Sequence, residues 1–152
     1  LVGTRLNNDE FSMEMTLSKT TGMDTFENFT WFTGVIRYDH TAATWTVSYD
    51  PQDRKEYLEI TYEKDYETEE GKLRYTIIDD TNPAVDSYIE YGEVPTADYD
   101  AYFTIDYNDT ITNIEWNTTT KEGRVKNEID FGDKDWNCWD SQLQDVDCAG
   151  GM

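Results

Sequence analysis

The sequence predicts an all-β, mainly antiparallel domain: a hairpin meander curled into a barrel, half-barrel or sandwich, with at most one or two short helical turns. Three observations carry this. Apolar and polar residues alternate with period two along most of the chain, and turn-forming residues separate those runs at short intervals. No window of ordinary helix length spaces its apolar residues three and four apart.

The first run sets Phe11, Met13, Met15 and Leu17 against Ser12, Glu14, Thr16 and Ser18, the pattern of a strand with one dry face and one wet face. Gly22 to Phe29 follows, with Met23, Phe26 and Phe29 three apart, which fits either one helical turn capping an open end of the sheet or an irregular strand. Trp45, Val47 and Tyr49 alternate with Thr44, Thr46 and Ser48. Leu58, Ile60 and Tyr62 alternate with Tyr57, Glu59, Thr61 and Glu63, and Leu73, Tyr75 and Ile77 alternate with Lys72, Arg74 and Thr76. Pro83 and Pro95 bracket a further strand around Tyr88-Ile89-Glu90-Tyr91. Phe103, Ile105 and Tyr107 come next, then Ile114 and Trp116.

The intervals suit hairpins: Tyr38-Asp39-His40-Thr41, Asp50-Pro51-Gln52-Asp53, Glu69-Glu70-Gly71 and Thr120-Lys121-Glu122-Gly123. Asn108-Asp109, two residues that tolerate positive φ, predicts a two-residue turn between Tyr107 and Thr110. Near the end Trp136, Trp139, Leu143 and Val146 fit a helix after Asp135, but the preferred expectation over 137–152 is a disulfide-closed terminal hairpin or turn with flexible last residues. No linker or repeat divides the chain, so 1–152 reads as one β domain.

A compact chain of 152 residues buries about 68–70% of its unfolded surface, and eleven Tyr with five Trp supply large side chains for a core. Twelve basic against thirty-three acidic residues give a net charge of -21. That field repels phosphate backbones and anionic lipid, and the scattered Arg54-Lys55 and Lys121 to Lys126 make no basic patch, which excludes nucleic-acid partners. Carboxylates on the wet side of a sheet keep it soluble and discourage edge pairing. No stretch has the roughly 18 apolar residues of a membrane helix. The start, Leu1-Val2-Gly3-Thr4-Arg5, is not a signal peptide, and the expectation is a mature or trimmed form from which a leader or lipid-bearing Cys has been removed.

The two cysteines, Cys138 and Cys148, have a spacing that suits a local disulfide of an oxidising compartment. Two buried thiols are the first alternative. Metal ligation is the second, and it needs further Cys or His that the chain does not offer. His40, the lone histidine, stands in a turn, where a solvent-exposed role outweighs membership of a nucleophilic triad. Acids beside aromatics, Asp140 next to Trp139 and Glu115 next to Trp116, superficially match a sugar-cleaving cleft, but adjacent strand residues point to opposite faces. Asp133-Lys134-Asp135-Trp136-Asn137 opens like a calcium loop and then fails, with Cys138 at the glycine position and Gln144 at the bidentate one. No cofactor or metal site is expected.

Four segments at the C-terminal end belong together: Ile114-Glu115-Trp116-Asn117, Gly123-Arg124, Cys138-Trp139-Asp140 and Asp145-Val146-Asp147-Cys148. This pattern, over roughly the last forty residues, resembles the tail of small bacteroidete envelope lipoproteins. The resemblance implies a lipid-anchored or secreted β-meander and no activity.

The leading expectation is therefore a non-enzymatic, extracytoplasmic, lipoprotein-like domain that binds a small or apolar ligand, with Trp31, Trp45 and Trp116 as candidate lining residues beside their plainer role as core. An acidic structural or interaction module of the envelope is the alternative, its partner a protein, a surface glycan or a divalent ion. A carboxylate hydrolase is the third, and it requires two converging acids, one with a perturbed pKa.

Overall fold

The computed structural model describes residues 1–49 and 55–148 and arranges them as one antiparallel sheet of twelve strands in sequence order. The strands are β1 (Val2–Arg5), β2 (Glu10–Thr21), β3 (Asp24–Arg37), β4 (Ala42–Ser48), β5 (Glu56–Lys64) and β6 (Gly71–Ile77). They continue with β7 (Tyr88–Glu93), β8 (Ala101–Tyr107), β9 (Thr110–Trp116), β10 (Gly123–Lys126), β11 (Asn137–Trp139) and β12 (Asp145–Val146). Among the described residues the one helical turn, α1 (Glu128–Phe131), lies between β10 and β11. The meander is the one the patterning predicts. It does not close into a barrel, because β1 and β12 remain at opposite edges.

Turn chemistry explains the strand order. Asn108 and Asp109 take φ of 50° and 63° and join Tyr107 to Thr110 in a two-residue turn, as their identities require. His40 sits in its turn at φ 59° and is exposed. The Asp50-Pro51-Gln52-Asp53 turn, Arg54 and the last four residues lie outside the described residues.

Where two segments admitted either a helix or strands, both form strands. Gly22 to Phe29 forms no helical turn: Thr21 pairs with Asp24, and Gly22 at φ 64° begins a two-residue hairpin turn. Phe26 pairs with Lys19 and Phe29 with Leu17, so one extra residue is inserted between them, beside Asn28 at φ 53°. This bulge produces the three-residue spacing that imitates a helix. Trp136 to Val146 is a hairpin, with Cys138 opposite Val146 and Trp139 opposite Asp145. Its turn is held by the Asp140 carboxylate, which accepts from the backbone N–H of Gln142 at 2.8 Å and of Gln144 at 3.0 Å. Cys138 and Cys148 are disulfide-bonded with Cα atoms 5.2 Å apart, so neither free thiols nor metal ligation applies to them. The helix that does form is capped by Asn127, whose side chain accepts from the N–H groups of Ile129 and Asp130 at 2.8 and 3.1 Å.

Contacts between elements run almost wholly between sequence neighbours, and no second layer of structure covers the sheet among the described residues. The consequence shows in the surface. The accessible area is 10584 Å², whereas a compact chain of this mass exposes about 8,000 Å². Roughly 59% of the unfolded surface is buried instead of the usual 68–70%. No large side chain among the described residues is fully buried, and the only buried apolar residues are Phe29, Ala43, Ala84 and Ala101. Among the described residues the enclosed core that the aromatic content leads one to expect is absent, because every strand pairs with its sequence neighbours in a single layer and no half of the sheet is carried over the other.

Several aspartates are held by the turns they build. Asp39 and Asp100 are lowered chiefly by hydrogen bonds from Thr41 and Thr118, and Asp65 by the backbone N–H groups of Glu67 and Thr68. Asp79 is pulled down to about 2 by hydrogen bonds from Lys55 and then from Thr81. A carboxyl depressed on folding contributes stability above its ordinary 3.8, and loses it as pH falls through the folded value near 2. An NMR titration is therefore expected to find the Asp79 midpoint near 2, with Lys55→Met moving it back toward the ordinary range. A midpoint unchanged by Lys55→Met would show that the ammonium does not hold it.

Candidate functional site

Strand alternation and register together sort the side chains onto two unlike faces. On one face a continuous apolar ladder crosses nine strands: Phe11, Ile36, Ala43, Tyr62, Leu73, Tyr91, Phe103, Ile114 and Val125, each opposite the next. A second ladder beside it runs Met13, Gly34, Trp45, Ile60, Tyr75, Ile89 and Ile105. The opposite face reads Ser12, Val35, Thr44, Thr61, Arg74, Glu90, Thr104, Asn113 and Lys126 along the corresponding row. The backbone between the faces is satisfied by the ladder hydrogen bonds, so the chemistry of each face is that of its side chains.

The apolar face is open. Tyr75, Ile89, Phe103 and Tyr107 are 39%, 45%, 36% and 59% exposed, well beyond what a packed core allows. Leu58, Tyr75, Ile77, Ile89, Ile105 and Tyr107 border a shallow hollow of about 310 Å³ at one end of the face. At the other end Tyr91, Phe103 and Trp116 form an aromatic cluster, with Phe103 stacked against Trp116 at 5.5 Å and Tyr91 at 5.2 Å from Phe103. The Tyr91 hydroxyl donates to Glu93 at 2.6 Å. That bond, with burial, pushes its pKa up to about 12, so it remains a neutral donor around neutral pH.

The polar face is knitted by cross-strand ion pairs: Lys72–Glu63 at 3.1 Å, Arg74–Glu90 at 2.8 Å and Arg124–Glu115 at 2.6 Å. The Tyr102 hydroxyl donates to Glu90 at 3.0 Å, and burial followed by this bond raises it to about 12. Arg74 lies 4.0 Å over the Tyr88 ring, and Arg124 lies over Tyr99 and Trp136. Larger in volume than the apolar hollow is a recess of about 480 Å³ bordered by Arg37, Glu63, Glu70, Lys72 and Tyr102, whose Lys72 and Glu63 already satisfy each other. The carboxylates shifted from their ordinary range, Asp39, Asp65, Asp79 and Asp100, are all lowered and all stand in loops. Among the described residues no group of three or more His, Cys, Asp or Glu is arranged to hold a metal ion, Asp133 and Asp135 included.

The three candidate tryptophans are not brought together. Trp45 lies on the apolar face in β4 and Trp116 on the same face in β9, five strands away. Trp31 is the extra residue of a bulge between Thr30 and Phe32, 41% exposed and 6.0 Å edge-on from Phe32. The residues that make the face, Tyr75, Ile89, Tyr91 and Phe103, were legible as strand positions but not as a surface.

The C-terminal pattern resolves into structure. Trp139 lies across Gly123, which stands opposite both Trp139 and Trp116, and the Trp139 indole N–H donates to the Lys121 carbonyl at 2.7 Å. The Asn117 side chain accepts from the N–H groups of Thr119 and Thr120 and shapes the preceding turn. Two other glycines are covered in the same way by a directly opposed aromatic ring, Gly34 by Trp45 and Gly92 by Tyr102. Comparison with protein-family models, curated proteins and solved structures found no match.

Proposed function

We propose that this chain is a non-enzymatic, extracytoplasmic binding module and that its apolar sheet face is the surface a partner covers. One observation carries the reading: two apolar ladders lie side by side across the sheet with nothing packed on them among the described residues, and Tyr75, Ile89 and Phe103 within them are more than a third exposed. Apolar patches of this continuity on soluble proteins mark sites of association. The disulfide supports an oxidising compartment. The polar, ion-paired opposite face and the net charge of -21 support solubility of the uncovered chain. An acidic interaction module rests on the net charge of -21 alone and has no built site behind it.

The test uses an uncharged dye, because the net charge would repel an anionic one. Nile red is expected to brighten on the dilute protein, and Ile89→Lys and Phe103→Lys are expected to remove most of that signal. A flat titration with the folded, monomeric wild-type chain would reject the apolar face as a binding surface.

A further inference from the structure

Resting on that reading, we infer that the occupant of the apolar face is a second copy of this chain, packed face to face as the missing layer of a sandwich. Three features point to a copy rather than to a small ligand.

The first is area. Across β4–β9 the face measures roughly 30 Å by 23 Å, about 700 Å² in plan before pleating is counted. Each partner in a stable interface of standard size contributes about 800 Å². The protein's 10584 Å² of accessible surface exceeds that of a compact chain by about 2,600 Å². A single ligand in the 310 Å³ hollow would leave most of this surface wet.

The second is charge. Two chains that each carry -21 repel one another at long range, yet the contact itself is neutral. Among the described residues Lys64 and Glu93 are the only charged side chains at the regular positions of this face in β4–β9. They are opposite in sign and lie in its outermost row. Lys72, Arg74, Glu63, Glu90 and Glu115 all belong to the other face, which such a pairing turns outward.

The third is shape. Two sheets of the same twist stack with their strands about 30° apart and interdigitate their side chains. A two-fold arrangement of one surface on itself is closed, so it stops at a dimer. The ladders carry side chains of unlike size, with Tyr75 beside Ile89 in one and Phe103 beside Ile114 in the other, and this gives the face the relief that interdigitation needs.

The experiment is sedimentation equilibrium on the whole chain from about 1 to 100 μM, a range that brackets the weaker interfaces of this size. The expected result is a concentration-dependent dimer. It should tighten as NaCl rises from about 0.05 to 0.5 M, because salt screens the mutual repulsion and leaves the apolar contact intact. Nile red signal per chain should fall in step as the dimer forms. Ile89→Glu places two unpaired charges at the centre of the contact and is expected to weaken association about 100-fold or more. Thr44→Lys, on the opposite face, should leave the dimer formed. Dimers that survive Ile89→Glu, or that weaken with salt, would overturn the inference by assigning the contact to another surface. A wild-type chain monomeric throughout would overturn it as well, even if a face variant failed to fold. Bright Nile red on that monomer would leave the binding reading standing with a different occupant, and a dark monomer would end both.

Discussion

Gly123→Val is expected to lower stability by about 3 kcal/mol, at the upper end of what overpacking does. A Cβ at position 123 would lie 2.1 Å from Cζ2 of Trp139 and 2.5 Å from the carbonyl oxygen of Glu115. The second contact is with backbone and no rotamer relieves it. The first would drive Trp139 off β10 and break the indole hydrogen bond to Lys121. Urea denaturation followed by tryptophan fluorescence reads both effects, as a lowered midpoint and an exposed Trp in the native baseline. Gly3→Val is the control, since its nearest neighbour is 3.8 Å away. A Gly123→Val midpoint matching that control would show that the aromatic cover is loose.

Loss of the Cys138–Cys148 bond should have an effect of similar size. The cross-link closes a loop between residues ten apart in sequence, worth about 3 kcal/mol in the chain-entropy model. Its loss should be felt locally first. β12 has two residues and pairs only with β11, which is itself three residues long. With both cysteines replaced by serine the terminal hairpin should fray before the sheet unfolds. That would release Trp136 from Arg124 and Lys126, now 4.3 and 4.6 Å from its ring, and Trp139 from Gly123. Hydrogen exchange should then show β11 and β12 opening while β4–β9 stay protected. Uniform protection in the double variant would mean that side-chain packing alone retains the end.

Most strands were readable because period-two alternation survives in any sheet with one dry face. Some of the register was readable too. The Asn108-Asp109 turn pins Tyr107 opposite Thr110, and counting back places Phe103 opposite Ile114 and Ala101 opposite Trp116. That counting, carried strand to strand, is the signal that would have found the apolar ladders; attention to the tryptophans alone missed them. Trp31 misled because a bulge breaks its phase. Gly123 looked like the end of a turn, and it opens β10 instead, because a tryptophan sixteen residues away in the next-but-one segment fills the space of its missing side chain. α1 is a single turn marked in the sequence only by its ends, the capping Asn127 with acidic Glu128 and Asp130 after it and the left-handed Gly132 that closes it. Alternation says that a face is apolar and is silent about what lies over it, so the open architecture was not legible at all.

The neighbour-only pairing of the strands makes the molecule a linear array, closer in its physics to a stack of repeats than to a globule. Its stability is a sum of adjacent couplings, and folding can start at any tight hairpin and zip outward in both directions. Such a chain can also gain or lose a hairpin at either end during evolution without disturbing the remainder, since no common interior has to be refilled.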